Sequence, residues 1–261
     1  MDYTSLQVIT LDAGAETLID TGDQEMILVP LAGSASVSCD GTAYKLAGRD
    51  SVFSGPSDFC YLPVNRQVTV GSHNGIRFAL CGAKTEQELD FRYGAAADVP
   101  VELRGAGQSS RLVRNFGTVG SFETAKLIAC EVITPDGNWS SYPAHKHDQQ
   151  SDSESELEEL YYFEIADGPN GEPGFGYMQT TASDERPIDL LTEVRHGSLV
   201  EVPYGWHGPC VAAPGFETYY LNAMAGPGPE RAWLITDHPG HAFVRASWDD
   251  QQVDPRLERR R

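Results

Sequence analysis

Three histidines and one glutamate stand out because their spacing would place four metal-ligating side chains at one site. His145 and His147 are separated by one residue. Residues i and i+2 of a strand point to the same face, so both imidazoles would face one side. Glu159 opens the apolar run 160–163, which we interpret as the next strand, and His207 follows a later strand and a Pro-Tyr-Gly-Trp turn. Such a set suits a borderline divalent ion such as zinc, manganese or iron, and leaves coordination positions open for substrate.

Residues of the same types nearby offer alternatives. A His-x-His pair on a strand is by itself often solvated and without function, and it is the downstream glutamate and histidine that favour a metal site here. Glu158 is the alternative carboxylate, but Glu159 is favoured because it lies immediately before the apolar strand. We expect His196 to be an exposed turn residue, and His238 and His241 to pack rather than to ligate.

The segment that joins the first two histidines to the glutamate is unusually acidic. Residues 148–158 carry Ser, Asp and Glu in quick succession, and such a run is by default a solvated loop. Asp148 is the one member for which we expect a role near the site. Lys146 alternates with the flanking histidines, so we expect it to face outward.

Length, charge and cysteine content exclude several classes of protein. The 261 residues carry a net charge of −19, which disfavours nucleic acid and anionic membranes as partners. No window approaches the roughly 18 continuous apolar residues of a membrane span, and the N-terminal residues do not resemble a signal peptide. The five scattered cysteines are expected to be buried free thiols. A cytoplasmic protein that forms a homo-oligomer is the expectation.

Short apolar runs separated by Gly and Pro predict an all-β fold with few helices. The small and polar segment 94–110 divides these runs into two series, and we predict two tandem jelly-roll β-barrels, at residues 1–100 and 101–261. The halves form a weak repeat, in which the run beginning at Glu25 is similar to the run beginning at Glu159. The first half has no counterpart of the His-x-His pair, so we expect it to be a scaffold without metal ligands.

The His-x-His, Glu and His pattern, set between glycines and a proline, resembles that of the cupin superfamily, and two such barrels make a bicupin. The similarity is closer to the 5-deoxy-glucuronate isomerase family of inositol catabolism. It is carried by the segments 137–148 (GNWSSYPAHKHD), 157–162 (LEELYY), 202–207 (VPYGWH) and 219–226 (YYLNAMAG). Tyr204 and Trp206 stand where family members usually have Arg and Tyr, and Ala144 where they have Pro; these departures concern substrate preference.

The resemblance implies conversion of 5-deoxy-glucuronate, an aldose, to the ketose 5-dehydro-2-deoxy-gluconate. A divalent ion with open positions would stabilise the enediolate that develops between the two carbons, while a base moves the proton. The candidates for this base are Tyr142, Tyr177, Glu158, His241 and a metal-bound hydroxide. The substrate carboxylate requires a cation, for which Arg114, Arg195 and Arg231 are options. Tyr177, Gln179, Tyr220 and Asn222 are further candidates for lining the pocket.

Three other functions remain open from the sequence. The first is the pectin-pathway isomerisation of 5-dehydro-4-deoxy-glucuronate, by members of the same family grouping. The second is an iron-dependent cupin dioxygenase, because the same ligands can hold iron that activates oxygen. The third is a non-catalytic sugar-binding cupin, which would bind a ligand without turnover.

Overall fold

The structure, a computed structural model, describes residues 1–184 and 186–258 and divides into two compact units. The first unit comprises Met1–Pro100, Asn115–Ala129 and Ala223–Ala225. The second comprises Val101–Arg114, Cys130–Asn222 and the described residues from Gly226 onward. Strands dominate the described residues, and the prediction of an all-β fold is confirmed.

One sheet accounts for the strands of residues 1–100. They are β1 (Thr4–Leu11), β2 (Glu16–Asp20), β3 (Gln24–Cys39), β4 (Thr42–Arg49), β5 (Phe59–Leu62), β6 (Gln67–Gly71), β7 (Ile76–Lys84) and β8 (Arg92–Gly94). The sheet order is β1-β7-β3-β5-β8; β3 also pairs with β4 and β6, and β6 with β2. The turn from β3 to β4 is Asp40-Gly41, where φ is +48° and +82°. Positive φ at both positions fits the tight hairpin turns in which Asp-Gly is favoured.

The later strands begin with β9 (Val101–Arg104), β10 (Arg111–Gly117), β11 (Ile128–Thr134), β12 (Trp139–Ser140), β13 (His145–Lys146) and β14 (Glu158–Ile165). They continue with β15 (Gly176–Ser183), β16 (Arg186–Val194), β17 (Leu199–Val202), β18 (Trp206–Ala212), β19 (Thr218–Ala225) and β20 (Thr236–Asp237). The α-helices are short: α1 (Ala242–Ala246) and α2 (Pro255–Glu258). Single 3₁₀ turns occupy Ala96–Asp98, Gly107–Ser109 and Ser247–Asp250.

These strands form two further sheets that carry the site. One has the order β17-β14-β19-β11-β10-β9, and the other has the order β16-β15-β18-β13-β20, with β12 also paired to β18. The sheets do not close into a barrel, and the arrangement is jelly-roll-like. Every residue of β19 is buried, whereas β16, at the end of its sheet, alternates between exposed and half-buried residues. The alternation in β16 is the pattern expected of an antiparallel sheet that has one face in water.

The strands of the first unit share one apolar core cluster. In the first unit, Leu28, Val37, Leu62, Val68 and Phe78 are fully buried in one apolar cluster. The prediction of buried free thiols is confirmed for the five cysteines: Cys39, Cys60, Cys81, Cys130 and Cys210. Within residues 1–184 and 186–258, no helix has the length and apolar character that a membrane crossing requires.

Candidate metal centre and its cavity

The structure brings together the three histidines singled out by the sequence. His145 of β13 lies directly opposite His207 of β18, with ring centroids 4.5 Å apart. His147, two residues after His145, has its ring centroid 4.7 Å from that of His207. One potential ligand atom from each imidazole lies within 4.8 Å of the others, and no second such group of His, Cys, Asp or Glu occurs among the described residues. The three imidazoles therefore form a compact candidate metal centre.

Backbone carbonyls fix the orientation of all three rings. Each Nδ1 lies within hydrogen-bond distance of a backbone oxygen: that of Pro143 for His145 (3.2 Å), of Leu157 for His147 (3.0 Å) and of Gly205 for His207 (3.1 Å). A carbonyl only accepts, so Nδ1 carries the hydrogen and donates it. Each Nε2 of a neutral ring is left with its lone pair available, which is the tautomer a metal ligand requires.

Glu159 supplies a carboxylate to the same cluster from the other sheet. Its Oε2 lies 3.1 Å from Nε2 of both His147 and His207, and the side chain is 2% exposed. Burial would raise the pKa of Glu159, but its hydrogen bond with His147 and the charges of the two imidazoles hold that pKa well below its ordinary value of 4.5. Glu159 is the second residue of β14 and shares its face of the strand with Tyr161, as the two-residue period predicts.

The pKa values of His145 and His147 shift in opposite directions because His147, unlike His145, contacts the Glu159 carboxylate. Burial lowers the pKa of His145 well below 6.5, and the neighbouring imidazoles lower it further. Burial would also lower the pKa of His147, but the hydrogen bond and the charge of Glu159 outweigh it and raise that pKa above 6.5. The shifts therefore favour the neutral form of His145, and they favour the charged form of His147, paired with Glu159, when no metal competes.

The donor atoms fit a divalent metal ion. Nε2 of His207 is fully buried and has no hydrogen-bond partner, although Oε2 of Glu159 is 3.1 Å away. A buried nitrogen without a partner is costly, and a metal ion at the cluster would satisfy it. Three imidazole nitrogens and one carboxylate oxygen are donors that zinc, iron and manganese accept.

A bulge and a close backbone contact position His207. The register between β15 and β18 shifts between Met178 and Thr180, which lies opposite His207. Gly208, at φ +92°, follows the ligand, and a Cβ there would lie 1.8 Å from the backbone oxygen of Ser141. Only glycine permits this approach of the 141–143 loop to β18. Bulges of this kind commonly redirect a side chain next to an active site.

Two small cavities lie against the cluster. The larger, of 190 Å³, is lined by Arg104, Arg111, His145, Trp233, Ile235 and Arg245. The smaller, of 30 Å³, shares four of these residues, namely Arg104, Arg111, His145 and Trp233. Its other lining residues are Val113, Cys130, Val132, Ser141, Glu159, Tyr161, Tyr220 and Asn222. The candidate metal centre is thus adjacent to a space lined by three guanidinium groups.

Three hydroxyls form a connected group in the smaller cavity. Ser141 Oγ lies 3.3 Å from the hydroxyl of Tyr161 and 3.2 Å from that of Tyr220. Burial raises the pKa of both tyrosines further above 10, mainly because the phenolate would be desolvated. Both phenols therefore carry their protons at neutral pH and can act as hydrogen-bond donors toward a bound molecule.

The acidic segment behaves differently from the expectation of a solvated loop. Lys146 is buried rather than outward in solvent, and its Nζ donates to Asp148 Oδ1 (2.8 Å) and Glu154 Oε1 (2.7 Å). The same Glu154 oxygen accepts hydrogen bonds from the backbone nitrogens of Asp148 (2.9 Å) and Gln149 (3.1 Å). The expectation is wrong for these residues because the loop folds back and neutralises the lysine, which removes the need for water.

Some of the further predicted site residues lie at the cavity and others do not. Tyr220 and Asn222, which share one face of β19, line the smaller cavity. Tyr177 and Gln179 alternate with Met178 and Thr180 on β15; Thr180 pairs with His207, so the other two side chains point away from the metal face. The structure does not bring Tyr177 and Gln179 to the cluster.

The remaining predicted residues lie beside the site or behind it. The ring of Tyr142 packs 5.4 Å from that of His241, and neither residue lines the cavities. Arg114 is buried and pairs with Glu131 at 3.6 Å on the face of β10 opposite Arg111. Two further predicted residues, Glu158 and Arg231, lie outside the lining of both cavities.

Sequence reasoning missed five of the six residues that line the larger cavity: Arg104, Arg111, Trp233, Ile235 and Arg245. Arg111 and Val113 share the inward face of β10, while Arg114 lies on the other. The alternation of β10 separates these two arginines, but it does not say which faces the cavity. The predicted metal ligands could have indicated the cavity arginines, because an anionic substrate bound at the metal would require a cation on the same face of the sheet.

Comparison with known proteins agrees with this geometry. Residues 1–244 match the KduI/IolB family. The chain is 39% identical over 250 residues to the 5-deoxy-glucuronate isomerase of Geobacillus kaustophilus strain HTA426, covering 94% of this chain and 87% of that protein. The crystal structure of an IolB-like protein from Salmonella typhimurium LT2 is similar to it with a TM-score of 0.85 and 34% identity, covering 93% of this chain and 90% of that one.

A more distant structure shares the fold alone. The oxalate decarboxylase of Lactobacillus farciminis, in its formate complex, is 10% identical, with a TM-score of 0.62 over 90% of this chain and 79% of that one. Such a likeness supports the cupin-like architecture and carries no functional argument. The family match covers residues 1–244, and the identity to the Geobacillus protein is 39% over 250 residues. These two findings show that this chain belongs to the KduI/IolB family.

Proposed function

We propose that this protein is a metal-dependent aldose–ketose isomerase that converts 5-deoxy-glucuronate to 5-dehydro-2-deoxy-gluconate. The observation that carries the proposal is the position of the His145, His147, His207 and Glu159 cluster against an arginine-lined cavity. The names of its relatives support the same reaction and substrate. The second unit would carry the chemistry, and the first would be a scaffold without metal ligands.

The three Nε2 atoms and Oε2 of Glu159 would hold the metal ion. When bound, a zinc, manganese or iron ion there would supply Lewis acidity toward a carbonyl oxygen and its neighbouring hydroxyl. The ring orientations set by the carbonyls of residues 143, 157 and 205 would prepare the donors for that ion.

The chain's own residues would bind and orient the sugar acid. The isomerisation moves one proton from C2 to C1 and one between the two oxygens, and it needs no external oxidant. The protonated phenol of Tyr220 and the Ser141 hydroxyl would donate hydrogen bonds to the oxygens at these two carbons. Asn222 would contribute its side-chain amide in the same cavity. Burial of this space would exclude water from the reacting carbons.

The test combines metal analysis with direct observation of the product. Purified protein is assayed for bound metal, and 5-deoxy-glucuronate turnover is followed by NMR. Replacing His145, His147 or His207 by Ala should remove both the metal and the activity, whereas the exposed His73→Ala variant should retain both. Full activity in a metal-free His147→Ala protein would contradict the proposal.

The same assay separates the competing functions. Turnover of 5-dehydro-4-deoxy-glucuronate in preference would support the pectin-pathway reaction. Activity that requires ferrous iron and oxygen would support a dioxygenase, and binding without turnover would support a sugar-binding protein. We also expect a homo-oligomer, which light scattering measures independently of activity.

A further inference from the structure

The three guanidinium groups of the larger cavity differ in whether the protein itself neutralises them. Arg104 forms a two-bond contact with Glu102, from Nε at 3.0 Å and Nη2 at 2.8 Å. Arg245 forms an equivalent contact with Asp237, at 2.5 Å and 2.6 Å. Such paired hydrogen bonds saturate much of the binding capacity of both arginines.

Arg111 has no such carboxylate. Its side chain is 6% exposed, and its Nη1 donates to the backbone oxygens of Ser109 (2.9 Å) and Tyr142 (3.3 Å). The guanidinium stacks near Trp248, with its carbon 5.3 Å from the ring centroid. Among residues 1–184 and 186–258, no carboxylate pairs with Arg111, and its Nε and Nη2 form no hydrogen bond.

The charge at Arg111 is therefore costly in the free protein. Burial, together with the nearby charges of Arg104 and Arg245, lowers the pKa of Arg111 to about 10, although Tyr220 and Glu102 oppose the shift. The group is still cationic at neutral pH. A buried and unpaired charge is disfavoured unless something neutralises it, and this one lines a cavity.

We propose that Arg111 binds the carboxylate of the substrate through its free Nε and Nη2 edge, and so makes the site selective for uronates over neutral sugars. This inference rests on the proposed isomerase function. Arg111 and the metal ligand His145 line both cavities, so a sugar acid bound there could present its carboxylate to the guanidinium and its other end to the metal centre. The fork geometry of guanidinium matches a carboxylate with two parallel hydrogen bonds.

A purely structural role is the competing explanation. In that case Arg111 would serve only to hold the Ser109 and Tyr142 carbonyls, and its loss would change stability or metal content without changing selectivity. The test must therefore measure discrimination between ligands that differ only in the carboxylate.

The probes are D-glucuronate and D-glucose, titrated by calorimetry into the metal-loaded full chain. Wild-type protein should bind glucuronate at least about 10-fold more tightly than glucose. Arg111→Gln should lose this preference and raise the KM for 5-deoxy-glucuronate about 10- to 100-fold, with metal content retained. Arg111→Lys, which keeps the charge without the fork, should fall between the two. Arg66→Gln, in the first unit, should match wild type.

Two results would overturn the inference, and the first is measured on the wild-type protein, so it does not depend on whether a variant folds. Equal affinity of the wild-type protein for glucuronate and glucose is the first. A folded Arg111→Gln protein that keeps the preference and the KM is the second. If 5-deoxy-glucuronate is not turned over but the preference depends on Arg111, the proposed function fails while the carboxylate site stands.

Discussion

Asp148 Oδ2 accepts a hydrogen bond of 2.9 Å from the backbone nitrogen of Gly205, and this bond links the segments that carry two candidate metal ligands, His147 and His207. Asp148 directly follows His147 in the chain. The carbonyl of Gly205 in turn accepts the Nδ1 hydrogen of His207. Asp148 is therefore a positioning residue, which holds the turn that orients His207 relative to His147.

Asp148→Asn should weaken metal binding about 10- to 100-fold, the range typical for loss of such supporting contacts. The carboxylate accepts from Lys146 on one oxygen and from Gly205 on the other, and an amide must direct its NH₂ at one of these donors. Chelator competition measures the affinity. The matched control is Asp152→Asn, an exposed aspartate of the same loop. Wild-type metal affinity in Asp148→Asn would show that the contact does not position the ligands.

The strand period explains why the cluster that forms the candidate metal centre could be predicted from sequence. His145 and His147 had to share a face if the segment was extended, and Glu159 had to follow the parity of its apolar strand. The turn before His207 was readable from its proline and glycine. None of these steps required knowing which strands pair.

The same period explains where prediction stopped. Alternation shows that Tyr220 and Asn222 share one face, and that Tyr177 and Gln179 share another, but not which face meets the metal. Arg111 and Arg114 pose the same ambiguity on β10. The burial of Lys146 was unpredictable for a different reason, since it depends on a loop that folds back to bring a carboxylate eight residues away.

Removing the metal should lower thermal stability. A ligand that binds only the folded state stabilises it by about 4 kcal/mol at a free concentration roughly 1,000 times its Kd. For a chain of this size we expect chelation to lower Tm by roughly 10 °C. Differential scanning calorimetry with and without a chelator measures this shift. His147→Ala should show almost no response, and a wild-type-sized response in that variant would locate the metal elsewhere.

Glu159 and His147 should both contribute to the stability of the metal-free protein in mildly acidic solution, where the lowered pKa of His145 acts against them. The lowered pKa of Glu159 contributes stability that is present above 4.5 and is lost as the pH falls through the folded-state value. The raised pKa of His147 contributes stability that is present below 6.5 and is lost as the pH rises through its folded-state value. The contributions of Glu159 and His147 are therefore both present between pH 4.5 and pH 6.5. Denaturant titrations of chelated protein across pH measure them, and His147→Gln should remove the decline at higher pH.

Glu25 should matter for the stability of the first unit rather than for the metal. In the weak repeat it corresponds to Glu159, yet its carboxylate accepts hydrogen bonds from backbone nitrogens instead of meeting imidazoles. These donors are Ala125 (2.7 Å), Lys126 (2.5 Å) and Leu127 (2.7 Å), and the Tyr61 hydroxyl donates at 2.8 Å. Both carboxylate oxygens are used, so the NH₂ group of a glutamine would oppose a buried donor.

Glu25→Gln should therefore lower the free energy of unfolding by about 2–4 kcal/mol, from lost charge-assisted bonds and a buried donor without an acceptor. Chemical denaturation measures the loss, and metal content should stay at the wild-type level. Glu123→Gln is the matched control, because that carboxylate is 68% exposed and its pair with Arg92 is worth little. If the two variants were equally stable, the buried amide contacts of Glu25 would contribute no more than a surface ion pair.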